Sequence, residues 1–175
     1  MKVIVFFLLT AIPALAQHGF RAEKGKMVWE HFYTEDGAII KAAIESRDKI
    51  KLEVADMATL SGKADGIKNT LDINSARLES DADFDFTVTK VDGGYKVVVT
   101  NYTLLEKYGP LQMRVIPASL GKYYMDNNKI RTSEKTKTDL AYMDAFLTSV
   151  FLPKVEETAS AAQGSIAINN APVAK

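Results

Sequence analysis

The chain has 175 residues, in which 22 Lys and Arg are balanced by 22 Asp and Glu, and it contains no cysteine. That balance, with no run of like charges, argues against a dedicated nucleic-acid binder, whose affinity rests on Lys and Arg clustered against phosphate. The missing cysteines exclude disulfides, thiolate zinc sites, iron–sulfur clusters and cysteine nucleophiles.

Lys2 precedes the apolar run 3–12 (VIVFFLLTAI), Pro13 breaks it, and Ala14-Leu15-Ala16 offers small residues ahead of Gln17. This order predicts a secretory signal peptide over residues 1–16, cleaved between Ala16 and Gln17. The run is about half of the ~20 apolar residues that a spanning helix needs. No cysteine stands at the cleavage point, so the expected product is not a lipoprotein. It is a bacterial protein exported to the periplasm, the outer surface or the medium, with no integral membrane segment once the signal is removed. About 159 residues then remain, enough for one domain with a real core.

Residues 17–25 are polar and glycine-punctuated and read as a flexible leader. The stretch 27–33 (MVWEHFY) alternates as a strand, with Val28, Glu30 and Phe32 on one face and Trp29, His31 and Tyr33 on the other. At 38–46 (AIIKAAIES), Ile40 and Ile44 stand four apart, as do Ile39 and Ala43. A short helix is favoured there, with a strand as the competing reading. Residues 49–54 (KIKLEV) alternate with Ile50, Leu52 and Val54 inward, 61–66 (SGKADG) reads as a turn, and 67–73 (IKNTLDI) resumes a strand. The stretches 84–89 and 95–103 flank Val91-Asp92-Gly93-Gly94, a hairpin signal, and apolar residues on both faces of the second strand suggest a central position. Pro110 and Pro117 punctuate the next stretch, and a short helix is expected around 118–125. Residues 139–152 carry Leu140, Met143, Leu147 and Val150 at helical spacing, widened by Phe146 and Phe151. Thr138 or Asp139 serves as N-cap and Pro153 as the stop.

From 154 to 175 the composition turns to Ala, Ser, Asn and Gln and reads as a disordered tail, leaving 26–153 as the single domain. The expected class is α+β. A curved antiparallel sheet of about four or five strands would carry a short N-terminal helix and a long C-terminal helix on one face.

The strand MVWEHFY, the SGKADGI stretch, the FTVTKVDGGYKVVVTNYTL hairpin and the closing helix together resemble a secreted bacterial domain of unknown function with a TBP-like fold, over about residues 26–152. The resemblance implies fold and export but no catalytic residues. Nucleic-acid binding is not inherited with the name of a fold.

The chemistry-bearing residues are few. His31 adjoins Glu30, but neighbours on a strand point to opposite faces and cannot converge on one ion. Asp81, Asp83 and Asp85 share one strand face, yet the glycine and closing glutamate of an EF-hand loop are missing, and a solvated face explains them. The serines stand in no nucleophile elbow, and Gly62-Lys63 lacks P-loop spacing. No catalytic, metal or cofactor-binding residue is assigned. The aromatics Trp29, Tyr33, Tyr95 and Phe146, with Phe32, Tyr102, Tyr123 and Tyr124, read first as core. The alternative is that they line a groove between sheet and helix for a small hydrophobic or glycan ligand. The leading expectation is a non-enzymatic exported envelope domain that binds a protein partner or such a ligand. A carboxylate-based hydrolase of envelope polymers and a structural subunit of an envelope assembly are the alternatives.

Overall fold

The structure is a computed structural model that describes residues 17–55, 58–71 and 75–152. The expected signal peptide (1–16) and tail (154–175) lie outside these residues.

One antiparallel sheet of seven strands organises the domain, two or three more than the alternating stretches of the sequence suggest. In chain order the strands are β1 (Phe20–Glu23), β2 (Lys26–Tyr33), β3 (Ile50–Ala55), β4 (Thr59–Ile67), β5 (Asp81–Val91), β6 (Gly94–Tyr108) and β7 (Arg114–Ser119). Their spatial order is β1-β2-β6-β5-β4-β3, with β7 also paired to β6. A two-stranded ribbon, β8 (Met125–Asp126) and β9 (Lys129–Ile130), stands apart. Helix α1 (Gly37–Glu45) follows the first two strands, α2 (Leu120–Tyr124) is a short turn, and α3 (Glu134–Val150) is the long C-terminal helix.

Segment 17–25 is not a leader. Lys24 and Gly25 both take positive φ, 48° and 78°, the geometry of a two-residue hairpin turn, so Phe20–Glu23 folds back on β2. Phe20 enters the core opposite Trp29. The SGKADG stretch is likewise strand, not turn. Gly62 sits where a side chain would strike the Lys51 carbonyl and the Phe86 ring. Gly66, at φ 62°, makes a bulge in β4 where Asp83 Oδ1 accepts from its N–H at 2.7 Å. The expected strand over 67–73 ends at Ile67, because Asn69 accepts from the Leu71 N–H and turns the chain. On β3, a register shift after Leu52 leaves Val54 exposed rather than inward.

The core lies on one sheet face. Met27, Trp29 and Tyr33 of β2, Phe84, Phe86 and Val88 of β5, and Val97 and Val99 of β6 meet Ile40 and Ile44 of α1 and the apolar stripe of α3. Leu140, Met143, Leu147 and Val150 are all fully buried, as the helical spacing requires. The helix starts a turn earlier than that stripe implies. Ser133 is its N-cap, accepting from the Thr136 N–H at 3.2 Å, and the polar turn behind it has no apolar face to announce it. Three contacts pin α3 down. Trp29 Nε1 donates to Asp144 Oδ1 at 2.7 Å, and the Tyr33 hydroxyl donates to the Thr148 carbonyl. Arg47, just past α1, donates to the Ser149 and Val150 carbonyls at 2.6 and 2.9 Å, satisfying and electrostatically complementing the helix C-terminus. Among the described residues no helix is long and apolar enough to cross a membrane.

Candidate binding surface

Strand β6 carries two neighbours on one edge. Residues 95–99 pair with β2 and residues 103–108 pair with β7, while the opposite edge runs along β5 as far as Leu105. The fork falls at a bulge where Asn101 takes φ 52°. Its amide holds the outer surface together: Nδ2 donates to Asp85 Oδ2 at 2.6 Å and Oδ1 accepts from Lys26 Nζ at 3.1 Å. Behind it lies an open cleft of about 260 Å3 with Met27, Tyr102 and Leu120 on its floor and Lys26 and Ser119 at its rim.

Beyond Leu105 the sheet narrows to two strands. Glu106, Lys107 and Tyr108 pair with β7 alone, so β6 and β7 form an arm that ends in a 3-10 turn at Pro110–Gln112. The root of this arm is polar and well bonded. The Glu106 carboxylate accepts from the hydroxyls of Tyr108 and Tyr123, one on each oxygen. Lys122 Nζ lies 3.8 Å from it. Arg77 stacks on the Tyr123 ring, 4.0 Å from the centroid. The two phenols, chiefly that of Tyr108, hold the Glu106 carboxyl below the usual carboxylate range, and the same bond raises the Tyr108 phenol. Next to this cluster, the Tyr124 hydroxyl donates to the buried Asp139, which Lys135 reaches at 3.3 Å. Burial first, and Asp139 second, push the Tyr124 phenol up.

The outer part of the arm is apolar and uncovered. Leu111 is 90% exposed and Met113 80%, and Tyr108, Val115 and Ile116 are exposed too. Register sets Val115 opposite Lys107 and Ile116 opposite Glu106, so β7 shows an apolar residue on each face. Leu111 also holds a left-handed φ of 59°, a conformation unfavourable for leucine, while making almost no contact with the rest of the chain. Lone exposed apolar residues are ordinary, but a contiguous set is the usual mark of an interaction site.

The residues singled out from the sequence lie elsewhere. Trp29 and Tyr33 are buried in the core beneath α3 and Phe146 on the inner face of that helix, and they line no groove, because the helix lies directly on the sheet. Tyr95 is half-buried beside an open cleft of about 170 Å3 near the start of α1. His31 is sandwiched between the rings of Trp29 and Tyr33, with centroids 5.5 and 4.6 Å away, on the face opposite Glu30. Glu30 is taken by Arg21. The three aspartates of β5 do share a face, but each has its own partner: Lys107 for Asp81, the Gly66 N–H for Asp83 and Asn101 for Asp85. Among the described residues no three acidic or histidine side chains converge in a way that could hold a metal ion. Ala16 is outside the described residues, whereas Gln17 forms a backbone bridge with Phe20.

Sequence reasoning missed the arm. Two prolines obscured it, although Gly109-Pro110 is a turn signal and Val115-Ile116 are strand formers. Nothing in the sequence brings Glu106 to Tyr123; α2 does that.

No family model and no curated protein matches the chain. Two solved structures are similar in fold. One is a DUF4468 family protein from Bacteroides ovatus ATCC 8483, 14% identical, covering 75% of this chain and 88% of that one with a TM-score of 0.46. The other is a TBP-like protein from Parabacteroides distasonis ATCC 8503, 13% identical, covering 74% and 90% with a TM-score of 0.48. Both likenesses are weak, and their descriptions, a domain of unknown function and a TBP-like protein, are of the kind that the sequence resembles. No activity or partner passes with them.

Proposed function

We propose that this chain is an exported, non-enzymatic domain of the bacterial cell envelope that engages a partner through the β6–β7 arm. The observation that carries the reading is the arm itself: a two-stranded extension, bonded at its root by Glu106 and two tyrosines, that presents Leu111, Met113, Val115 and Ile116 to solvent. A folded domain gains nothing internally from holding those side chains out.

Size and charge weigh against the alternatives. The apolar fork cleft, at about 260 Å3, is smaller than the ~300–1,000 Å3 of a typical small-molecule site, and the roomier cleft of about 330 Å3 beside Lys68, Glu79, Asp81 and Lys107 is open and polar where such a site is mostly apolar. A carboxylate hydrolase needs an acid whose pKa is raised so that it carries a proton at neutral pH. Glu106, the carboxylate most closely surrounded by catalytic-looking groups, is shifted the other way by its phenol donors and is held ionised. The export half of the proposal rests on the order of Lys2, the apolar run, Pro13 and Ala14-Leu15-Ala16.

Two measurements test it. The N-terminus of the chain recovered from the envelope of a bacterial host should read Gln17. Amide exchange of that chain with and without its envelope fraction should show protection concentrated over 106–118. Protection confined to other elements, or none, would rule out the arm as the binding surface.

A further inference from the structure

Resting on that reading of the arm, we infer that its partner is an anionic lipid surface, with the apolar tip entering the headgroup layer and Arg114 beside it meeting a lipid phosphate. Three observations point to this occupant over a protein.

The first is where the apolar residues sit. The two most exposed, Leu111 in the middle of the turn and Met113 just after it, sit at the extreme end of the arm, whereas a strand-pairing partner would be met along the free edge of β7. That edge carries Pro117, which has no N–H to offer a new strand.

The second is charge. Arg114 directly opposes Tyr108 across the hairpin, is exposed, and joins no ion pair among the described residues. Lys107 and Lys122 stand close behind, the first paired with Asp81 at 2.9 Å and the second 3.8 Å from Glu106, whose carboxylate is turned inward between two phenols with only 12% of its side chain exposed. Among the described residues Arg114 is thus the unpaired charge near the tip of the arm, and its sign complements an anionic surface. Tyr108, with an apolar ring and a polar hydroxyl, suits the boundary between the two media.

The third is reach. The arm extends three residue pairs past Leu105, roughly 10 Å at about 3.3 Å per residue. The depth to which interfacial elements bury their apolar face is about 5–10 Å. The rest of the domain can then stay in water.

The test uses the chain beginning at Gln17, which keeps every described residue and removes the apolar N-terminal run. Cosedimentation is measured with vesicles of phosphatidylcholine alone and of phosphatidylcholine with phosphatidylglycerol. Binding is expected to the mixed vesicles only and to fade with added salt. The double variant Leu111→Asn, Met113→Ser should weaken it tenfold or more, by roughly the hydrophobic contribution of two side chains. Asparagine also tolerates the left-handed φ at 111, so the variant keeps its fold, and circular dichroism checks that. Arg114→Gln should weaken binding about fivefold, the effect of one surface charge.

Equal binding to both vesicle types, or binding untouched by the double variant, overturns the lipid assignment. If vesicles are ignored while the envelope fraction still protects 106–118, the partner is a protein and the lipid inference alone fails. If neither protects the arm, the reading beneath it fails as well.

Discussion

The two halves of β6 face opposite fates. From Val97 to Leu104 its inward side chains are buried under α1, α3 and α2, while from Lys107 onward the same strand and its partner stand in water with apolar side chains exposed. One strand therefore links a sealed scaffold to an uncovered arm, and the bulge at Asn101 marks the change of neighbour from β2 to β7. The difference shows how a domain can keep stability and recognition apart: residues on the first half hold the fold, and residues on the second are free to meet something else.

If the scaffold half is as described, its substitutions should be costly and those on the arm cheap. The largest effect is expected at Phe151, which is fully buried, stacks 6.2 Å from Trp29 and meets Phe86 edge-on at 5.4 Å. Phe151→Ala should destabilise the chain by about 3–5 kcal/mol in urea titration, the usual cost of an aromatic cavity. Next comes Arg47→Ala. It strips two charge-assisted bonds from the C-terminus of α3 and should cost about 2 kcal/mol, with the extra amide exchange concentrated over the last turn of that helix.

Glu106→Gln sharpens the comparison at the boundary between the halves. In the wild type the folded-state pKa of Glu106 is depressed, so its contribution is fully present above the ordinary carboxylate pKa. That contribution is lost as pH falls from there through the depressed value. The arm should therefore loosen on acidification, seen as faster exchange over 106–116, and the uncharged amide of the variant should remove that acid-side dependence. The smallest effect is expected at Leu111→Asn, which relieves a leucine held at φ 59° and should leave stability unchanged or raise it by less than about 1 kcal/mol.

The scaffold was far more legible in the sequence than the arm. The β5–β6 hairpin around Asp92-Gly93 and the stripe from Leu140 to Val150 could be read because alternation and helical spacing reflect burial, and burial is what holds these elements. Where glycine served space rather than turning, the same rules misled: SGKADG has the composition of a turn, yet Gly62 admits the Phe86 ring and Gly66 makes a bulge. Phe20–Glu23 escaped notice because four residues of mixed polarity carry no period, and only the Lys24-Gly25 turn joins them to β2. The helix cap at Ser133 was hidden by a first turn with no apolar face. Aromatic content pointed to a groove, but Trp29, Tyr33 and Phe146 fill the interior instead, since nothing in a sequence says whether a helix rests on a sheet or stands off it. The arm is a tertiary fact. Val115 and Ile116 look like any strand until register sets them opposite Lys107 and Glu106, past the last pair of β6 with β5, where the sheet is only two strands wide.

The central claim is that the arm binds and the scaffold only holds it. Its most direct test pairs urea unfolding with amide exchange on the Leu111→Asn, Met113→Ser double variant, in the presence and absence of the envelope fraction. The expected result is a stability within about 0.5 kcal/mol of wild type, as for surface changes generally, together with loss of protection over 106–118. A variant that keeps its protection, or one that loses it only by unfolding, would contradict the separation of the two halves.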